Sequence, residues 1–249
     1  MNKFIIITAR TKSSRLKNKI LKNVNRSFKS IDILVSRASR IGLETILATS
    51  NDKSDDDLAK YVKNKYSIRV FRGNLNNKVK RWHQCYLKYK IDYACMIDGD
   101  DLAFDFDLYK KEISSKNLSK YDIIKYCKGI VTGSFTYIFS KKFIKSLANQ
   151  TKIFKNLDVI DFFINKKKFK IKTIYIQKKL KNHRIRLTLD YKKDLLFFRE
   201  LYKHKPIFEK TNNIIIYLLK NKKISNINYD LEVQWKKNQN KEITKHATK

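Results

Sequence analysis

The stretch FIIITARTKSSRLKNKIL, residues 4–21, decides how the chain is read, because an apolar run passes without a break into a polar and strongly cationic loop. Phe4, Ile5, Ile6 and Ile7 do not alternate with polar residues, which suits a strand covered on both faces, as in the parallel sheet of an α/β fold. Arg10, Lys12, Arg15, Lys17 and Lys19 follow, interleaved with the donors Thr8, Thr11, Ser13 and Ser14. At the carboxyl end of a central strand, such a loop offers backbone N–H groups and cations together, which is how open α/β sheets bind phosphates.

The pattern A-R-x-x-S-x-R-L-x-x-K is met by Ala9, Arg10, Ser13, Arg15, Leu16 and Lys19. It resembles the signature loop of the nucleotide-sugar cytidylyltransferases, the family of CMP-acylneuraminate and CMP-ketodeoxyoctulosonate synthetases and the related spore-coat polysaccharide proteins. Two departures from that family fall on the backbone. A Gly usually precedes the Ser and a Pro-Gly pair the Lys, whereas Lys12 and Lys17-Asn18 stand here. Asn tolerates a left-handed conformation better than other non-Gly residues, so Asn18 is expected to keep the turn.

At 249 residues the chain is long enough for one sizeable core, and 42% hydrophobic with 12% aromatic residues excludes a disordered chain. The formal charge of +34 arises from 57 Lys+Arg against 23 Asp+Glu. Most of the excess is Lys dispersed along the chain, which reads as a solvated surface rather than a specific nucleic-acid groove. Cys85, Cys95 and Cys127 form no C-x-x-C pair, so reduced thiols are expected. The first apolar run ends at once in Thr8-Ala9-Arg10, unlike a secretory signal, and residues 214–219 are too few to span a bilayer. A cytoplasmic protein without a transmembrane segment is expected.

Further along, Ser30 is placed to cap a helix over residues 31–41 ended by Gly42, and residues 43–49 read as a second strand. Asp55, Asp56 and Asp57 open a helix, where carboxylates suit the amino end as caps. Residues 68–73 read as a strand, 77–90 as a helix, 91–97 as a strand, and 106 onward as a helix capped by Asp101 and Asp105. Strands are expected at 122–127, 131–139 and 169–176, and helices at 141–147, 158–164 and 214–219. Gly129, Thr132, Gly133, Ser134 and Thr136 form a small, hydroxyl-rich patch that suits either a sugar contact or a β-turn.

Three of these junctions carry chemistry. The second strand stops at Ala48-Thr49-Ser50, similar to the family's A-T-S turn, and Phe71-Arg72-Gly73 matches the F-R-G of its spore-coat branch; turn formers and an ordinary surface Arg are the alternatives. Asp98-Gly99-Asp100-Asp101 follows a buried strand and makes a carboxylate cluster suited to Mg²⁺. It resembles the family's G-D-x-P-L motif, in which the Asp after Gly binds the metal; that is Asp100. Arg186-Leu187-Thr188-Leu189-Asp190 and Asp194-Leu195 resemble the late motif R-L-T-V-D-T-P-E-D-L. Taken alone, Asp190 would read as a helix N-cap at the end of a strand.

The resemblance implies an α/β chain with the Rossmann-like three-layer nucleotide-diphospho-sugar transferase fold and a mostly parallel mixed sheet. Residues 1–205 are expected to form the catalytic domain and 206–249 a helical extension of it. The implied reaction joins CTP to an acidic or related sugar, giving a CMP-sugar and pyrophosphate for surface polysaccharide. By the same resemblance Arg15, Lys19 and Asp100 are catalytic, Asp100 and Asp190 hold Mg²⁺, and Arg186 binds substrate. Ala9, Arg10, Ser13, Ser14, Arg15, Lys19, Thr49, Ser50 and Arg72 contact the nucleotide. A homodimer is compatible with the sequence. Two rivals remain at this point: a metal-dependent glycosyltransferase using a ready-made nucleotide sugar, and a non-catalytic basic binding protein.

Overall fold

Ile5, Ile6 and Ile7 are fully buried at the centre of a seven-stranded sheet in the computed structural model. The structure describes residues 1–13, 15–127, 129–150, 160, 164, 167–175 and 185–234. Ser14, most of the helix expected over 158–164, His183, Arg184 and the tail beyond 234 lie outside them.

The strands are β1 (Lys3–Thr8), β2 (Thr45–Ser50), β3 (Arg69–Gly73), β4 (Tyr93–Asp98), β5 (Ile123–Tyr126), β6 (Tyr137–Ser140) and β7 (Ile171–Ile174). Their spatial order is β3-β2-β1-β4-β6-β5-β7, and β6 alone runs antiparallel to its neighbours. The helices are α1 (Ser30–Ser39), α2 (Asp56–Lys65), α3 (Lys78–Lys88), α4 (Phe106–Ile113), α5 (Lys141–Gln150), α6 (Lys192–His204), α7 (Thr211–Lys220) and α8 (Lys222–Ser225). Two clusters of buried side chains flank the sheet, giving three layers. Ile5, Ile7, Leu47 and Ile97 pack with α1, α2, α4, α6 and α7, while Phe4, Ile6, Ile46, Ala48 and Met96 pack with α3 and α5. Side chains alternate faces along a strand, so β1 serves both cores, and each fully buried Ile contributes on the order of 1.5–3 kcal/mol.

The chain winds β1, β2, β3 to one side and then returns to place β4 on the other side of β1. This is the switch point where open α/β sheets leave a crevice beyond the strand ends. Here Gly99 N donates to Thr8 O at 2.8 Å, and a Cβ on Gly99 would lie 2.8 Å from that oxygen and from Ala9 Cβ. Gly99 thus lets the cationic loop and the acidic turn touch.

Several local expectations are corrected. Ser30 lies inside α1, whose first turn is closed by Asp32 accepting from Lys29 N at 2.7 Å. Residues 131–136 are not a strand: Gly133 has φ 84°, and a Cβ there would meet Leu187 O at 2.2 Å. Residues 187–190 do not join the sheet either. They run extended, with Leu187 N donating to Thr132 O and Leu189 N to Asp100 O, both at 2.8 Å. The packed residues α7 and α8 contribute, Ile214, Leu218 and Ile224, join the same core as β1. Arg37 of α1 is fully buried and binds the carbonyls of Phe104, Ile207 and Glu209 and the Thr211 hydroxyl, fixing the segment after β4 to α1 and α7. Among the described residues no helix is long and apolar enough to cross a membrane.

Candidate active site

The loop after β1 keeps its shape through side chains and one left-handed residue. Asn18 has φ 53°, as its identity suggested, and its N–H donates to Thr11 O at 3.2 Å. A short 3₁₀ turn, Lys19–Leu21, follows and buries Ile20, which aims Lys19 back across the crevice. Its ammonium lies 2.8 Å from Asp100 Oδ2 and 3.0 Å from Asp190 Oδ1. Burial alone would pull the Lys19 pKa down, but the two carboxylates outweigh it and the net shift is upward. Arg15 reaches the same Asp190 oxygen at 2.8 Å, and its guanidinium stacks 5.4 Å from the Tyr191 ring centroid.

Asp190 is held from the other side by Arg186, whose Nη2 donates to Oδ2 at 2.9 Å. Burial opposes its ionisation, yet Lys19, Arg15 and Arg186 hold the carboxyl below its ordinary range. Helix α6 is capped not by Asp190 but by Asp194, which accepts from Asp190 N at 2.8 Å and Tyr191 N at 2.9 Å. Reciprocal closure of a first turn by its third residue is a capping-box device, and it frees the Asp190 side chain for the crevice. Arg186 itself is fully buried against Asp190, Asp194 and Glu232. Its guanidinium faces these three carboxylates and holds Asp190 in place, so the contacts of this expected substrate-binding residue are with the protein.

Across the crevice, burial raises the pKa of Asp98, opposed by Lys78 and Lys19 and aided by Asp100 and Asp190, and burial with the charges of Asp100 and Asp98 raises that of Asp101 well above the carboxylate range. Asp101 accepts from the Thr136 hydroxyl at 3.2 Å, so it is no helix cap; Asp105 takes that part for α4, accepting from Leu108 N at 3.0 Å. In the hydroxyl-rich patch, Thr132 donates to Glu232 and Ser134 to Val131 O, so both serve the fold.

Toward β2 and β3, Arg10 is exposed at the mouth and donates to Leu75 O at 3.4 Å, and Ala9 is buried. Ser13 is half-buried, and Thr49 is fully buried with no hydrogen-bond partner for its hydroxyl among the described residues. Arg72 braces the turn after β2 by donating to the carbonyls of Ser50 and Asp52. Asp55, expected as a cap, instead lies buried between the loop and β2, accepting from Thr11 and Ser50. Its identity in a D-D-D run carried no sign of this, because the contact joins residues 44 positions apart.

Mg²⁺ takes one or two carboxylates and completes its shell with water and phosphate oxygens. Asp100 and Asp190 fit that need, since one cation, the Lys19 ammonium, already joins an oxygen of each. Among the described residues no three His, Cys, Asp or Glu side chains are grouped to hold a metal by themselves.

The fold has counterparts. The family model for cytidylyltransferases matches residues 4–224. An uncharacterized protein of Methanocaldococcus jannaschii is 29% identical over 227 residues, covering 90% of this chain and 93% of its own length. The structure of a cytidylyltransferase from Leptospira borgpetersenii superposes with a TM-score of 0.78 at 20% identity, covering 90% of this chain and 96% of that one. A CMP:2-keto-3-deoxy-manno-octonic acid synthetase complexed with CTP gives 0.62 at 14% identity, covering 82% and 99%. These structures share the fold of nucleotide-diphospho-sugar transferases with this chain. With a family model spanning β1 to α8 and the signature loop, acidic turn and late Asp gathered at one crevice, the chain belongs to the cytidylyltransferase family.

Proposed function

We propose that the protein transfers CMP from CTP to the hydroxyl of an acidic or related sugar, supplying a CMP-sugar for surface polysaccharide and releasing pyrophosphate. The observation that carries this reading is the Lys19 ammonium joining Asp100 to Asp190, with Arg15 on the same carboxylate, at the switch-point crevice. The sugar oxygen forms a bond to the α-phosphorus, the bond from that phosphorus to the β-phosphate oxygen breaks, and the hydroxyl proton is released. Such transfer needs positioning and charge stabilisation more than covalent help from the protein.

Arg15 and Lys19 supply positive charge within reach of the triphosphate, and Arg15 can hold two phosphate oxygens at once. Arg10 stands exposed beside the segment after β3, and Ser13 is half-buried in the same loop. Asp100 and Asp190 would hold Mg²⁺, which would offset the charge of the triphosphate and of the departing pyrophosphate. Arg186 and Asp194 keep Asp190 turned into the crevice.

The test is pyrophosphate release from CTP with Mg²⁺ and a panel of 2-keto-3-deoxy sugar acids, including acylneuraminate and ketodeoxyoctulosonate, with the CMP-sugar identified by mass. One pyrophosphate per CMP-sugar is expected. Consumption of a ready-made nucleotide sugar without pyrophosphate would replace this reading with glycosyl transfer.

A further inference from the structure

The cationic loop lacks the glycines usual in its family, yet the path it follows needs none at Lys12. Among its described residues Asn18 alone has positive φ. What the backbone lacks in turn chemistry, side chains from the segment after β2 supply. Asp55, with no exposed surface, accepts from Thr11 N at 2.7 Å, from Thr11 Oγ1 at 2.7 Å, from Ser50 N at 3.0 Å and from Ser50 Oγ. One carboxylate thus ties the fourth residue beyond Ile7 to the last residue of β2. Thr11 Oγ1 also lies 2.7 Å from Ser54 O, and Lys12 reaches Asp52 at 3.1 Å, so the neighbours of Asp55 brace the same point. Among the described residues Asp55 has no cation within ion-pair distance; hydrogen bonds satisfy its oxygens, and the buried Arg81 guanidinium lies near enough to feel its charge. Burial opposes ionisation, and the four donors outweigh it, leaving its pKa below the ordinary range. A buried carboxylate whose hydrogen bonds are all committed to two nucleotide-facing segments has a positioning role as its simplest physical reason.

We propose that Asp55 is a positioning residue of the nucleotide site, holding the cationic loop in its binding geometry through Thr11 and Ser50. This rests on the reading of that loop as the CTP site. Asparagine keeps the shape but cannot do the work: its amide oxygen replaces one carboxylate oxygen, and its NH₂ group meets N–H and O–H donors where the other oxygen stood. The loop should loosen while the sheet and its two cores stay intact.

The experiment compares wild type, Asp55→Asn and Thr11→Val. CTP affinity is read by calorimetry well below the melting temperature, kcat and KM by pyrophosphate release, and amide hydrogen exchange over residues 9–22 without nucleotide. Asp55→Asn should weaken CTP binding by about tenfold or more, since small misplacement of binding groups carries penalties of that size, with KM changing more than kcat. Exchange over residues 9–22 should quicken. Thr11→Val loses the hydroxyl contact and keeps the N–H, so it should move both readouts the same way by less, and the double variant should fall short of additivity. A lower melting temperature with unchanged CTP affinity and unchanged loop exchange would reduce Asp55 to a structural residue and overturn the proposal. If Asp55→Asn does not fold, Thr11→Val alone decides by the same two readouts. If wild type binds no CTP, the reading of the site fails, and the loop exchange still reports separately whether Asp55 holds the loop.

Discussion

Replacing Lys19 by Met removes the charge that joins Asp100 to Asp190 and keeps an unbranched apolar stem one atom shorter. Unit charges about 3 Å apart attract by roughly 5–6 kcal/mol at an effective dielectric of about 20. Much of that is cancelled by dehydrating an ammonium and two carboxylates. After the change Asp100 can regain water, since its side chain is 25% exposed, and Asp190 keeps Arg15 and Arg186. The net loss should then be about 2 kcal/mol, below the 3–5 kcal/mol typical when a fully buried pair loses one partner. For a chain of this size that lowers the melting temperature by about 4–8 °C. The assay is thermal unfolding with and without Mg²⁺. Because the variant leaves two carboxylates facing one gap, Mg²⁺ should stabilise Lys19→Met more than wild type, and pyrophosphate release in Mg²⁺ should fall sharply. An unchanged melting temperature, with no gain from Mg²⁺ over wild type, would refute the bridge.

Arg15→Lys keeps the charge but loses the guanidinium fork, so pyrophosphate release should drop by about 10- to 100-fold while stability changes by less than about 1 kcal/mol, as befits an exposed ion pair; wild-type rates would remove Arg15 from the site. Arg186→Met leaves Asp190, Asp194 and Glu232 without their shared partner and should cost about 3–5 kcal/mol in urea unfolding; a fully stable variant with only a raised sugar KM would restore the substrate-binding reading. Asp55 has a folded pKa below its unfolded value of roughly 4, so its contribution is fully present above that value and is lost as pH falls through the folded pKa. Urea unfolding of wild type and Asp55→Asn should therefore differ most at pH 6 and converge toward pH 3, and a gap that stays constant would contradict the assignment.

The sheet was legible where burial is two-sided. The non-alternating run at Ile5–Ile7 and the short strands β2 and β4 each announce themselves by apolar density followed by Thr, Ser or Asp, whereas the edge strand β3 is marked by its Gly73 end rather than by burial. Asp100 and Lys19, singled out in the sequence as a carboxylate after a buried strand and a Lys in a cationic loop, lie 2.8 Å apart in the structure. Sequence reasoning failed where a polar residue's partner is distant along the chain. Asp55 looks like the helix cap its neighbours suggest, and nothing in the sequence marks Arg186 or Arg37 as a buried hub of ion pairs or carbonyl contacts. Each is buried by contacts that only the assembled fold supplies. The stretch ending at Asp190 failed differently. Its alternation Ile185, Leu187, Leu189 has the period of a strand, but its backbone partners are Thr132 and Asp100 in loops rather than a neighbouring strand.

The central claim is that the crevice between β1 and β4 binds CTP through the cations of the first loop. The most direct measurement is thermal unfolding in Mg²⁺ across a concentration series of CTP, UTP, ATP and GTP, with Lys19→Met beside wild type. A ligand that binds the native state alone stabilises by about 2.7 kcal/mol at 100 times its Kd and continues to rise with the logarithm of concentration. CTP should raise the melting temperature of wild type in this manner, the other nucleotides should do so only at much higher concentration, and Lys19→Met should lose most of the CTP response. Equal shifts with all four nucleotides, or a CTP response that Lys19→Met leaves intact, would contradict it.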